Sequence, residues 1–144
     1  MAKSTTTCGD ILKLYLNATA IANIADNASS SPNTNTYLSL HTASPTAGGS
    51  GQNESEATYT SYARIAVART SGGWTCSGAT AQNTALAQFP ACTGGTNTIT
   101  HVGVGKASSA AGVMWWYGAL NANLAVANLI QPQFSATALT ITES

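Results

Sequence analysis

The 144-residue chain carries five basic and five acidic side chains and two histidines, for a formal net charge of zero, and only 7% of its residues are charged. That balance excludes the concentrated basic footprint needed to bind nucleic acid or an anionic lipid surface. Ala (26), Thr (21), Ser (15) and Asn (11) fill half the chain, yet ten aromatic residues and the lack of net charge separate it from disordered sequences, which combine low hydrophobicity with high net charge.

The length predicts a single domain over residues 1–144, and a near-neutral, charge-poor surface predicts self-association or docking. Residues 1–7 have no apolar stretch of the signal-peptide type. No window reaches the run of about 18 apolar residues that a membrane-spanning helix needs. The helical rhythm falls on residues 9–25, where Ile11, Leu14, Tyr15, Ala18, Ile21, Ala22 and Ala25 share one face. Asp10 stands where an acidic side chain favours a helix N-terminus, and Asn17 and Thr19 weaken the middle. Residues 27–35 read as a loop.

From Tyr37 the period changes to two. Strands are expected at 37–41, 62–68, 74–76, 85–89, 99–104, 113–120, 124–127 and 136–141, separated by Ser44-Pro45, Gly48-Gly49, Gly72-Gly73, Gly94-Gly95, Gly112, residues 121–123 and Gln131-Pro132. About eight short strands over 36–142 after one short N-terminal helix define an all-β antiparallel sandwich. An immunoglobulin-like sandwich is the alternative arrangement.

Groups fit for chemistry are scarce. Glu54 and Glu56 read as a solvated loop, and paired carboxylates of the glycosidase kind would have to come from distant segments. His41 and His101 fall in strands, and no Gly-x-Ser-x-Gly elbow accompanies them. Gly103-Val104-Gly105-Lys106 lacks the leading Gly and the Ser or Thr of a phosphate loop. Cys8, Cys76 and Cys92 are an odd set with no Cys-x-x-Cys. They read as buried thiols, with a Cys76–Cys92 bridge as the alternative; zinc through Cys76, Cys92 and His101 has the right ligand types but no finger spacing. No catalytic residue and no cofactor are expected.

Two features stand out. Arg64, one of few cations and placed in a strand, is expected to fork onto a carboxylate as a structural clamp, with Glu54 the first candidate partner. Trp115-Trp116-Tyr117 forms an aromatic strand in which Trp115 and Tyr117 share one face and Trp116 takes the other. Such a strand serves either as one buried on both sides or as a sugar-binding platform.

Several segments in this order resemble a known family: Leu38-Ser39-Leu40-His41-Thr42-Ala43-Ser44-Pro45, Asn53-Glu54, Tyr62-Ala63-Arg64, Phe89-Pro90, Ile99-Thr100-His101-Val102-Gly103-Val104, Gly118-Ala119-Leu120 and Ala138-Leu139-Thr140-Ile141. Over residues 10–142 the chain resembles small virion proteins of tailed bacteriophages, labelled capsid decoration (cement) or tail-fibre-like proteins. The resemblance implies a jelly roll and a non-enzymatic cement protein on the outer capsid surface of the virion, made in the host cytoplasm. Such a protein bridges neighbouring subunits of the major capsid protein and associates with itself, a homodimer being favoured over a trimer, through many modest contacts summed by avidity. Its contact surface would include Ile11, Leu14 and Tyr15, with the Trp115, Trp116 and Tyr117 strand. A tail-fibre or receptor-binding module gripping host-surface glycans through these aromatics is the alternative.

Overall fold

The computed structural model describes residues 4–21, 33–45 and 51–144. The expected helical positions Ala22 and Ala25, Asp26, residues 27–32 of the first loop and Gly48-Gly49-Ser50 lie outside them. The protein is all-β with one short N-terminal helix, and its strands pair antiparallel. Among the described residues no helix is long and apolar enough to cross a membrane.

The chain divides into two compact units, Met1–Asn35 with Val67–Ala87 and Phe134–Ser144, and Thr36–Ala66 with Gln88–Gln133. In the first unit, helix α1 runs over Thr5–Leu16, four residues earlier at its start than the sequence rhythm indicated. The reason is a cap: the Ser4 side chain accepts from the Thr7 N–H at 3.2 Å, satisfying a donor that the first turn otherwise leaves open. Asp10 therefore sits mid-helix and not at the N-terminus. The helix stops where Asn17 leaves helical geometry and Ala18 turns to φ 51°.

The face that α1 buries is Cys8, Leu12 and Leu16, a clean i, i+4, i+8 stripe. Ile11 and Leu14 are half-buried and Tyr15 is exposed, a rotation of the stripe from the one expected. It packs against strands β3 (Trp74–Ser77) and β4 (Thr80–Asn83), which form a three-stranded sheet in the order β3-β4-β9 with β9 (Thr140–Thr142). Trp74, Ala81, Leu139 and Ile141 complete this core. Replacing Leu12 by alanine leaves a cavity beneath the helix, and we expect a loss of about 2–5 kcal/mol, read by chemical denaturation.

The β4 strand has no apolar alternation, so periodicity misses it. It is held instead by polar bonds from Asn83, which is buried. The Asn83 amide donates to the carbonyls of Ala85 and Ser135, both at 2.8 Å, and its oxygen accepts from the Leu139 N–H at 2.9 Å.

The larger sheet has the order β2-β1-β6-β7, with β1 at Asn35–His41, β2 at Ile65–Ala68, β6 at Asn97–Gly105 and β7 at Met114–Val126. Strands β5 (Ala87–Gln88) and β8 (Gln133–Phe134) pair separately. The central pair β1–β6 runs in continuous register from Tyr37 opposite Gly105 to His41 opposite His101. One face of this pair presents Leu38, Leu40 and Val104 to the apolar core of the second unit, with Phe89, Ile99 and Val126 also buried. The other face is polar and glycine-rich, carrying Ser39, His41, Gly103 and Gly105. The strands expected at 113–120 and 124–127 are the single β7. The break expected at 121–123 survives as a register jump, because Ile99 faces Leu124 and His101 faces Ala119.

Candidate functional site

The polar face of the β1–β6 pair is covered by two loop segments, residues 51–57 and 106–113, and a network of side chains ties them down. Arg64 is its centre and is buried. Its Nε donates to Glu56 Oε1 at 2.6 Å and its Nη2 to Glu56 Oε2 at 2.7 Å. The same guanidinium donates to the Ala107 carbonyl at 2.9 Å and the Ala110 carbonyl at 2.7 Å. This planar fork matches a carboxylate and two carbonyls at once, which a lysine cannot do. The carboxylate that Arg64 grips is that of Glu56 and not Glu54. Glu56 forms a β-bridge with His41, which fixes its carboxylate against the sheet, whereas Glu54 lies within the preceding turn.

Tyr62 completes the clamp. Its hydroxyl donates to Glu56 Oε1 at 2.8 Å and accepts from the Leu40 N–H at 3.0 Å. Burial pushes this phenol well above its usual pKa. The ring stacks on Phe89, with centroids 6.3 Å apart, so one residue joins the polar cluster to the apolar core.

His41 is fully buried. Its Nδ1 lies 2.8 Å from the Glu54 carbonyl, which can only accept, so Nδ1 carries the proton. In the neutral ring Nε2 then accepts from the Ser39 hydroxyl, 2.9 Å away. A Ser–His pair at this distance has the spacing of a nucleophile and its base, but both residues are fully buried, leaving a substrate no approach. Gly103 makes room for them: a Cβ there would stand 2.8 Å from both His41 Nε2 and Ser39 Oγ. Gly103→Ala is expected to cost about 1–3 kcal/mol by overpacking, measured as a fall in the denaturation midpoint.

Gln52 plays the corresponding role for the second loop. Buried, it donates to the Tyr37 carbonyl at 3.1 Å and accepts from the Ala107 N–H at 2.8 Å. Its amide lies over Gly105, where a Cβ would come within 2.5 Å of its oxygen. Both loops also contain a non-glycine residue in the left-handed region, Ser55 (φ 49°) and Ala110 (φ 59°). The carbonyl of each is held, Ser55 by the Thr42 N–H at 2.8 Å and Ala110 by Arg64. Strained turns persist where the surroundings over-determine them in this way.

The motifs that looked like separate sequence signatures thus meet in one place: Leu40, His41 and Thr42 from β1, Glu54 to Glu56 from the turn, Tyr62 and Arg64, and Gly103 from β6. Their chemistry is spent on fastening loops to a sheet.

The aromatic strand lies beside this cluster. The register changes between Val104 opposite Trp116 and Gly105 opposite Met114, so Trp115 is an extra residue in a β-bulge. A bulge interrupts the alternation of side chains. The two indoles, expected on opposite faces, instead touch edge to face with centroids 6.2 Å apart and planes at 72°. They are half-buried and pack on one another. Tyr117 is 42% exposed. Farther along the chain, Leu129 is 81% exposed at φ 71°, an uncommon backbone conformation for a bulky residue, with Ile130 also exposed. No charged residue occurs between Lys106 and Glu143.

In the first unit, Arg69 is a second clamp. Its guanidinium donates to the carbonyls of Tyr15 at 2.5 Å, Asn33 at 2.6 Å and Leu14 at 2.7 Å. Ile11, Leu14 and Tyr15, the expected contact residues of the helix, lie on α1 beside this anchor. The three cysteines are free. Among the described residues no three His, Cys, Asp or Glu side chains gather to hold a metal ion.

The protein is an all-β framework whose buried polar groups brace loops. The family described as Podophage GP4 fiber I protein gp80 matches residues 11–142, and the chain belongs to it. It is therefore a bacteriophage virion structural protein. Comparison with curated proteins gives no match.

Proposed function

We propose that the chain is a non-enzymatic fibre subunit of the phage particle, acting by contact through exposed uncharged side chains, among them Val113, Tyr117, Leu129 and Ile130. The family match over residues 11–142 carries this reading. It is supported by the exposure of those four apolar side chains on a unit whose loops are braced by internal bonds, since a rigid exposed surface loses little entropy on docking. Summed over repeated copies, modest contacts of this kind become firm attachment.

Virions lacking the protein test the proposal. A fibre subunit gives particles with normal heat resistance and reduced adsorption to host cells, and labelled antibody places it on a fibre. Loss of heat resistance with label over the capsid shell would replace this reading by a cement protein bridging major capsid subunits. Tyr117→Ala and Leu129→Asn are expected to lower adsorption or incorporation at least several-fold without moving the melting temperature. If host glycans are the target, the same variants weaken binding of the isolated protein to a glycan array.

A further inference from the structure

Both histidines of the chain occupy one register pair of the β1–β6 ladder, His41 opposite His101. On its other side His41 bridges to Glu56. Its surroundings are the Ser39 hydroxyl on β1, the Glu54 carbonyl and the Glu56 carboxylate from the turn, the Arg64 guanidinium, and His101 with Gly103 on β6. Directly opposed residues on an antiparallel pair project to the same face, so a second imidazolium or the nearby guanidinium opposes a charge on His41. The Glu56 carboxylate beside it already accepts from Arg64 through both oxygens and from Tyr62. A protonated His41 would therefore compete with Arg64 for Glu56.

The same residue anchors the turn. The Glu54 carbonyl receives His41, the Ser55 carbonyl receives Thr42, and the Ala57 N–H returns to the Leu40 carbonyl at 2.8 Å. Through Gln52 and Arg64 the turn is continuous with the loop at 107–110.

We propose that the His41 cage is an acid-sensitive latch, whose protonation releases the 51–57 turn and the 107–112 loop while the β1–β6 ladder stays paired. This goes beyond the fibre assignment and does not depend on it.

Burial, with Arg64 and His101 adding to it, holds His41 below its ordinary value of 6.5 despite the opposing pull of the Glu54 carbonyl and Glu56. The opened form, with His41 in water, then takes up a proton first. Closure is fully favoured above pH 6.5 and weakens as the pH falls from there towards the lowered value of the closed form.

Amide hydrogen exchange followed by NMR on the full chain at pH 7.5 and 5.0, corrected for intrinsic exchange rates, tests this. The expected result is at least a tenfold loss of protection at Thr42, Ala57 and Ala107, with the ladder amides of the Ser39–Gly103 pair retained. The midpoint of that loss coincides with titration of the His41 ring signals. His41→Asn keeps a donor for the Glu54 carbonyl and cannot titrate, so its loops stay protected at pH 5.0. Unchanged protection in the wild type overturns the proposal, as does loss of ladder and loop amides together. An acid response that persists in His41→Asn also overturns it. Should that variant not fold, a loop midpoint differing from the His41 ring titration in the wild type does the same.

Discussion

Replacing Glu56 by alanine is expected to destabilise the second unit by about 3–5 kcal/mol, the cost of leaving a buried cation without its partner. The Arg64 side chain is only 2% exposed in its ion pair and that of Glu56 only 15%, so water cannot take the place of the carboxylate. Three further bonds would suffer, because Tyr62 loses the oxygen it donates to and the Ala107 and Ala110 carbonyls depend on a guanidinium that is no longer held. Glu54→Ala is the informative control. Arg64 does not use the Glu54 carboxylate, and the carbonyl that receives His41 belongs to the backbone, so a clearly smaller loss is expected. Urea denaturation of the two variants decides the matter, and equal losses would argue against the Arg64–Glu56 fork as the main tie. Replacing both Arg64 and Glu56 by apolar residues of similar volume should recover part of the stability, since the pair itself is costly to desolvate.

The contrast between the two glutamates shows what the sequence makes legible. An arginine in a charge-poor chain announces a carboxylate partner, although Arg64 stands just ahead of β2 and not within a strand. Which of two acids two residues apart is used depends on where the turn ends and the bridge to His41 begins, a long-range register that local pattern does not encode. Strands β1 and β6 were legible because Leu38 and Leu40 in the one, and Val102 and Val104 in the other, follow a period of two. Strand β4 was not, because Thr80 to Asn83 are stabilised by the Asn83 amide and by packing of Ala81 beneath α1. The helix was legible in kind but displaced, since Ser4 and three threonines with modest helix propensity begin a helix that packing of Cys8, Leu12 and Leu16 completes. The face of the Trp115 ring was beyond reach, as one inserted residue reverses the parity of everything before it.

The second large effect is expected at Arg69. Arg69→Met retains the aliphatic stem but removes three charge-assisted bonds to Leu14, Tyr15 and Asn33, and we expect a loss of about 2–4 kcal/mol, less than the sum of three such bonds because they share one side chain. Two of those carbonyls lie in the last turn of α1, where the helix leaves acceptors without internal donors and where a cation is favoured by the helix dipole. The third belongs to the segment entering β1, so a single guanidinium joins the helix end to a chain segment far away in sequence. Arg69→Lys would satisfy one or two of the three carbonyls and should fall between wild type and methionine. The measurement is thermal unfolding followed by circular dichroism together with Trp74 fluorescence, because Trp74 is buried under α1 and should respond as the helix detaches. The same geometry decides how a contact role for the helix has to be tested. Deleting residues 4–16 strips Leu12 and Leu16 from the core of the first unit, so it would abolish any interaction by unfolding. Ile11→Asn or Tyr15→Ala alters the half-buried or exposed side of the helix, leaves Cys8, Leu12 and Leu16 in place, and separates docking from folding.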